Sequence, residues 1–327
     1  METPASHLQL VYSTTLTPTS PFHFDATLHK PDYFPTDDSH WEPGKRWQAI
    51  WWRGRQVGIV VRDEGTIEDP AVRLEVYARR RPGRQFLASL TQELRYRFNL
   101  DLDLGPFYAA AEGDPALGPI IQTWRGLRPG HAYSLYEYLV IGVALQNTTV
   151  RRSIQMMRAL FRAHGRLMGF DDRLLWCFWS PGALVGASEE SLRALRVGYR
   201  ARSLSRFDSA FASGEVDESS LRAANPAAQR RALLSLYGVG PATLGYLLTD
   251  VFHNWDHLDH LSPWEQRILS HLVFGTEPDA PVPAARLLRH FARYRPFRFL
   301  ALHYLWEDLW WRHARGEATW LDPLIRT

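Results

Sequence analysis

The sequence predicts an α+β fold: a small N-terminal antiparallel sheet with a helix packed on it, followed by a larger all-α domain. Two observations predict it. Roughly the first hundred residues carry short alternating runs rich in β-branched and aromatic side chains. From Gly105 onward, apolar residues recur at helical spacing, in segments divided by Gly, Pro, Ser and Asp. The domains are therefore set at residues 1–104 and 105–327.

The strand runs are LQLVYSTTLTP, RWQAIWWRGRQVGIVVRD and VRLEVYARR, with Gly54 as the turn inside the second. GRQFLASLTQELRYRFNL follows with Phe86, Leu87, Leu90, Leu94 and Phe98 on one face, a helix to cover the sheet. The helical segments run from LGPIIQTW, SLYEYLVIGVALQ and VRRSIQMMRALFRAHG to RFLALHYLWEDLWWRHARG near the end. No period of 20–50 residues recurs, which excludes a solenoid.

Composition narrows the function classes. At 45% hydrophobic and 22% charged, the 327-residue chain is that of a globular protein with a sizeable core. Its single cysteine, Cys177, excludes a disulfide framework, a four-cysteine iron–sulfur cluster and a cysteine-based zinc finger. No signal peptide or membrane-length apolar run is present, so an intracellular, cytoplasmic or nucleoid location is expected, with no membrane partner. The net charge is +3, and lysine occurs only at Lys30 and Lys45. An arginine surplus of this size permits nucleic-acid binding without requiring it.

Two stretches carry chemistry. In LLSLYGVGPATLGYLL, a helix ends, Gly238-Val239-Gly240 turns, and Pro241 occupies a first helical position with Thr243 in the opening turn. Free N–H groups in such a turn, backed by a helix dipole, suit a phosphate. The other stretch is FHNWDHLDHLSPWEQRIL. Its Ser262, Pro263 and Glu265 spell a capping box with proline at the first helical position. His253 and His257, with Asp256 or His260, have spacings that would suit zinc, but the helix start at Ser262 leaves His260 in a loop. No metal is expected.

LYGVGPATL, Leu236 to Leu244, resembles the helix–hairpin–helix of the DNA glycosylase superfamily, whose consensus is roughly Leu-Pro-Gly-Val-Gly-x-x-Thr-Ala; it departs at Tyr237 and Leu244. RFNLDLDLGPFYAAAEGDPALGPIIQTWRGLRP, SLYEYLVIGVALQNTTV, VGYRAR and YRPFRFLALHYLW fall in the family's order. The likeness is to the 3-methyladenine DNA glycosylase II type, with 8-oxoguanine glycosylase-like features. It implies a TBP-like N-terminal sheet domain and, as partner, double-stranded DNA carrying damaged bases. A monomer is expected.

The resemblance also implies roles. Gly238, Gly240 and Thr243 would grip the DNA backbone, with a monovalent cation on the hairpin carbonyls as a family trait and no other cofactor. Asn147, with Gln146 beside it, would fill the gap left by a flipped base. Arg151, Arg152, Arg200 and Arg202 are candidate phosphate contacts. Tyr246, Trp264 and Trp306 would form the base pocket, with Trp310 nearby on the last helix.

Counting from Gly238 as in the alkylbase enzymes, the place of the catalytic aspartate falls on Ser262, which cannot hold a negative charge. Asp259 is the expected acid, with Asp256 and Glu265 as alternatives. Bifunctional members place a lysine where this chain has Ala242, so a monofunctional enzyme is expected. The predicted function is excision of damaged bases, alkylated purines first, in base excision repair. The alternatives are an oxidised-purine glycosylase and a non-catalytic protein that binds damaged DNA.

Overall fold

The computed structural model describes residues 6–31 and 37–325. Strand β1 (Ser6–His7) leads into β2 (Gln9–Leu16), and β3 (Ser39–Glu42), β4 (Lys45–Trp52), β5 (Arg55–Asp63) and β6 (Val72–Ala78) follow. β2 to β6 form an antiparallel sheet in the order β2-β6-β5-β4-β3. The β4–β5 turn is the two-residue Arg53-Gly54, with φ of +42° and +78°. Two successive positive φ values match the right-handed twist of the strands, and glycine takes the second at no steric cost.

One face of this sheet packs on helix α1 (Arg84–Arg97), through Leu87, Leu90 and Leu94 against Ile50, Ile59, Val61, Leu74 and Val76. The other face packs on a hairpin that the sequence reading does not foresee. Strands β7 (Arg166–Phe170) and β8 (Arg173–Cys177) lie within residues 105–327, and β1 pairs with β7 to make a three-stranded sheet. The α+β class holds, but the second part is not all-α. Met168, Phe170, Leu175 and Cys177 pack on Trp47, Ala49, Val60 and Tyr77, so the central strand β5 is buried on both faces. That explains its unbroken VGIVV run.

The helices that position the site are α2 (Leu135–Leu145), α3 (Val150–His164), α4 (Ala201–Ala212), α5 (Pro226–Ser235), α6 (Pro241–Tyr246), α7 (Pro263–Phe274) and α8 (Arg298–Ala314). Leu139, Phe161, Phe207, Leu244 and Leu247 share one core beneath α2, α3, α4 and α6. Phe107, Leu287, Phe291 and Tyr304 share a second under α8. Buried Arg128 ties the two parts together, donating to the carbonyls of Thr19, Pro21, Asn99 and Leu100. Among the described residues, no helix is long and apolar enough to cross a membrane.

Candidate nucleic-acid interface

The hairpin forms where the sequence places it. Helix α5 ends at Ser235, and α6 opens with Gly240 as its cap and Pro241 in its first turn. The two glycines differ in kind. Gly238 has φ +93°, and a Cβ there would lie 2.5 Å from Ser203 Oγ, so the turn itself demands glycine. Gly240 has an ordinary negative φ, and among the described residues nothing lies within 4 Å of where its Cβ would be. No internal contact requires glycine there. Past Tyr246 the helix widens into a π turn over Leu247–Val251.

The end of α2 is fastened to this turn. Gln146 Nε2 donates to Gly238 O at 2.8 Å and lies 3.4 Å from Thr243 Oγ1. Gln146 is thus engaged with the hairpin, while its neighbour Asn147 projects from the surface with φ +48°. Asn147 Nδ2 lies 3.5 Å from Tyr199 Oη. Arg200 has a different occupation from the one expected of it. It is buried, donates to Val143 O at 3.0 Å and to Gln146 O, and so caps α2. Arg151 is exposed in the first turn of α3, and Arg152 beside it donates to Arg196 O at 3.0 Å. That turn holds no acidic residue, so two cations sit at the positive end of the dipole, where an anion is favoured.

The expected capping box is present. Ser262 accepts from Glu265 N, and the Glu265 carboxylate accepts from Ser262 N at 2.7 Å. Its other oxygen accepts from Tyr246 Oη at 2.9 Å. Among the described residues no cation lies within ion-pair distance of Glu265. Asp256 is held differently: Arg298 Nε lies at 3.0 Å and Arg295 at 3.4 Å. Asp259 is 59% exposed, with His257 at 3.6 Å and Arg298 at 3.5 Å. It faces a cavity of about 250 Å³ that Arg230, Leu248, Asn254, Asp256, His257 and Arg298 also line. Burial lowers the His257 imidazole, partly offset by Asp259.

The histidines of this loop diverge. His253 stacks between Tyr96 and Trp255, His257 turns toward Asp259, and His260 is exposed. Among the described residues no three His, Cys, Asp or Glu side chains converge as a metal site would require.

The tryptophans expected in a base pocket stack instead with one another. Trp264 and Trp306 lie 5.4 Å apart and nearly parallel, Trp310 extends the stack, and Trp264 Nε1 donates to Leu324 O. They pack with Ile268, Leu309, Leu321 and Leu324. Tyr246 is 45% exposed, whereas Trp264 and Trp306 are partly buried.

One polar cluster goes unnoticed in the sequence. Asp250, on the π turn, accepts from Tyr138 Oη, and its main-chain carbonyl accepts from His131. Burial raises the Asp250 carboxyl, eased by the Lys30 charge and the Tyr138 hydrogen bond. Lys30 comes from the N-terminal part and reaches Glu307 on α8 at 3.5 Å. These partners are far apart in the chain and share no motif, so only the fold assembles them.

No family model matches the chain. Over 206 residues it is 27% identical to a probable N-glycosylase/DNA lyase of Methanothermobacter thermautotrophicus, 57% of this chain and 65% of the relative. It is 26% identical over 152 residues to the DNA-3-methyladenine glycosylase of Bacillus subtilis, 46% of this chain and 50% of the relative. The chain thus spans less than two thirds of either relative. Among solved structures, the 3-methyladenine DNA glycosylase of Archaeoglobus fulgidus superposes with a TM-score of 0.69 at 19% identity, covering 90% of this chain and 97% of that one. The 8-oxoguanine glycosylase/lyase of Clostridium acetobutylicum gives 0.66 at 14% identity, covering 93% and 99%. These two likenesses are of fold.

Proposed function

Because the chain belongs to the helix–hairpin–helix DNA glycosylase superfamily, we propose that it grips damaged duplex DNA, extrudes one base and hydrolyses its glycosidic bond. The Gln146–Gly238 hydrogen bond carries this reading. It holds the backbone-gripping turn and the projecting Asn147 in one rigid piece, which is what inserting a side chain beside a gripped strand requires. Gly240, free of any internal need for glycine, leaves room for a phosphate at the hairpin amides. The turn carbonyls of Leu236 and Gly238 each accept one hydrogen bond already and keep a second lone pair. A monovalent cation there would draw the phosphate closer.

Breaking the bond leaves positive charge on the sugar, which an ionised carboxylate stabilises. Asp259 is the proposed acid because it faces the cavity through two loose contacts. Asp256 is neutralised by two arginines. Glu265 is the second candidate, favoured by its lack of a cation and by its orientation against Tyr246. With Ala242 in place of an amine, water is the nucleophile and an abasic site the product. The exposed Tyr246 offers an aromatic surface to an extruded base, and a cationic alkylated purine gains most from such a surface. An oxidised purine is the second reading for the lesion.

The test is base release from duplexes carrying methylated purines or 8-oxoguanine, by wild type, Asp259→Asn and Glu265→Gln. The variant that lacks the acid should lose about 100-fold or more in rate while still binding DNA. Release by neither the wild type nor the variants on any substrate, with damaged duplex still bound, would leave a binding protein.

A further inference from the structure

Beside the hairpin turn, the candidate phosphate contact Arg202 belongs to a larger group with Arg206 and Tyr237. Tyr237, 43% exposed, is the residue just before Gly238. The guanidinium carbons of Arg202 and Arg206 lie 4.9 and 4.5 Å from its ring centroid. Both arginines are exposed on α4, four residues apart and therefore on one helix face. Ser203, between them, is the residue on which Gly238 sits.

This arrangement is costly for the isolated protein. Like charges at this spacing repel along a helix. Among the described residues no carboxylate lies within ion-pair distance of either arginine, whereas Arg158, Arg173 and Arg193 are each paired with a carboxylate. The exposed ring orders both side chains through cation–π contact and leaves their outer N–H groups unspent. Two fixed, unneutralised guanidiniums of this kind match a pair of phosphate oxygens.

We propose that Arg202 and Arg206, held by Tyr237, form a second backbone clamp that takes two phosphates of the strand gripped by the hairpin. This rests on the DNA-binding reading above. It gives a role to Tyr237, where the chain departs from the hairpin consensus. The hairpin offers main-chain amides, and the clamp adds side-chain charge beside them.

The salt dependence of binding to undamaged duplex tests this. Each phosphate neutralised contributes about 0.9 to the slope of log affinity against log salt. Arg202→Ala/Arg206→Ala should therefore reduce the slope by about 1.8. Arg202→Lys/Arg206→Lys, which keeps the charges, should retain it, and Arg193→Ala should leave it unchanged. Thermal melting of each variant establishes that it is folded. An unchanged slope in the double alanine variant of a protein that binds DNA overturns the clamp alone. Failure of the wild type to bind DNA overturns the DNA-binding reading and the clamp with it.

Discussion

At the scale of single residues, Gly238 and Gly240 offer a clean separation of folding from binding. Gly238→Ala puts a Cβ at φ +93° and against Ser203 Oγ, and should cost about 1–3 kcal/mol of stability. Gly240→Ala meets no neighbour, so thermal melting should move little, within about 0.5 kcal/mol. The same substitution places a methyl group where a phosphate would approach, and DNA affinity should fall. If Gly240→Ala bound DNA as well as wild type, the hairpin would not be the contact surface. The capping box and the hairpin are legible in the sequence because each is built from neighbouring residues. The roles of Gln146 and Arg200 are not: both are polar residues near a helix end, and only the fold gives them Gly238 O and Val143 O as partners.

At the scale of elements, the β7–β8 hairpin fixes how the two parts of the chain meet. Phe170 lies over Gly58 of β5, where a Cβ would fall 2.5 Å from the Phe170 ring. Phe170 is fully buried and has no room to withdraw. Gly58→Ala should cost about 1–3 kcal/mol by overpacking, and Gly58→Ala/Phe170→Leu should recover part of that in the same melting experiment. A sequence pattern identifies β5 as a strand but not what covers its second face. Five-residue strands such as β7 and β8, flanked by long helical patterns, give too short an alternation to declare themselves.

At the scale of the whole molecule, buried charge joins the parts and sets the acid limit of stability. Arg222 donates to both oxygens of Glu93 on α1, and Arg97 donates to the same carboxylate. Burial alone would raise Glu93, but hydrogen bonding by Arg222 and the charge of Arg97 outweigh it and bring it down to about 2. A carboxyl depressed in the folded state contributes stability above its unfolded value, and that stability is lost as pH falls from about 4.5 toward 2. Desolvation holds His131 and His253 down at about 3, so each begins to cost stability below about pH 6.5. Melting temperature should therefore fall in two stages on acidification. Arg222→Met should destabilise by about 3 kcal/mol or less at neutral pH, because the buried Glu93 carboxylate loses Arg222 but keeps Arg97. It should also make the lower stage shallower, while the fall that buried His131 sets below pH 6.5 remains.

The sequence by itself determined the α+β class, the hairpin with its two glycines, the β4–β5 turn and the helix start at Ser262. Each rests on local backbone rules or on a period within one element, so no knowledge of distant contacts is needed. Tertiary structure alone decided the coupling of Gln146 to the hairpin, the stacking of Trp264 with Trp306, the placing of Arg202 and Arg206 about Tyr237, and the meeting of Lys30 with Glu307. These depend on which faces pack together across long stretches of chain. Packing of that kind is fixed by shape and burial over many residues at once, and no short motif encodes it.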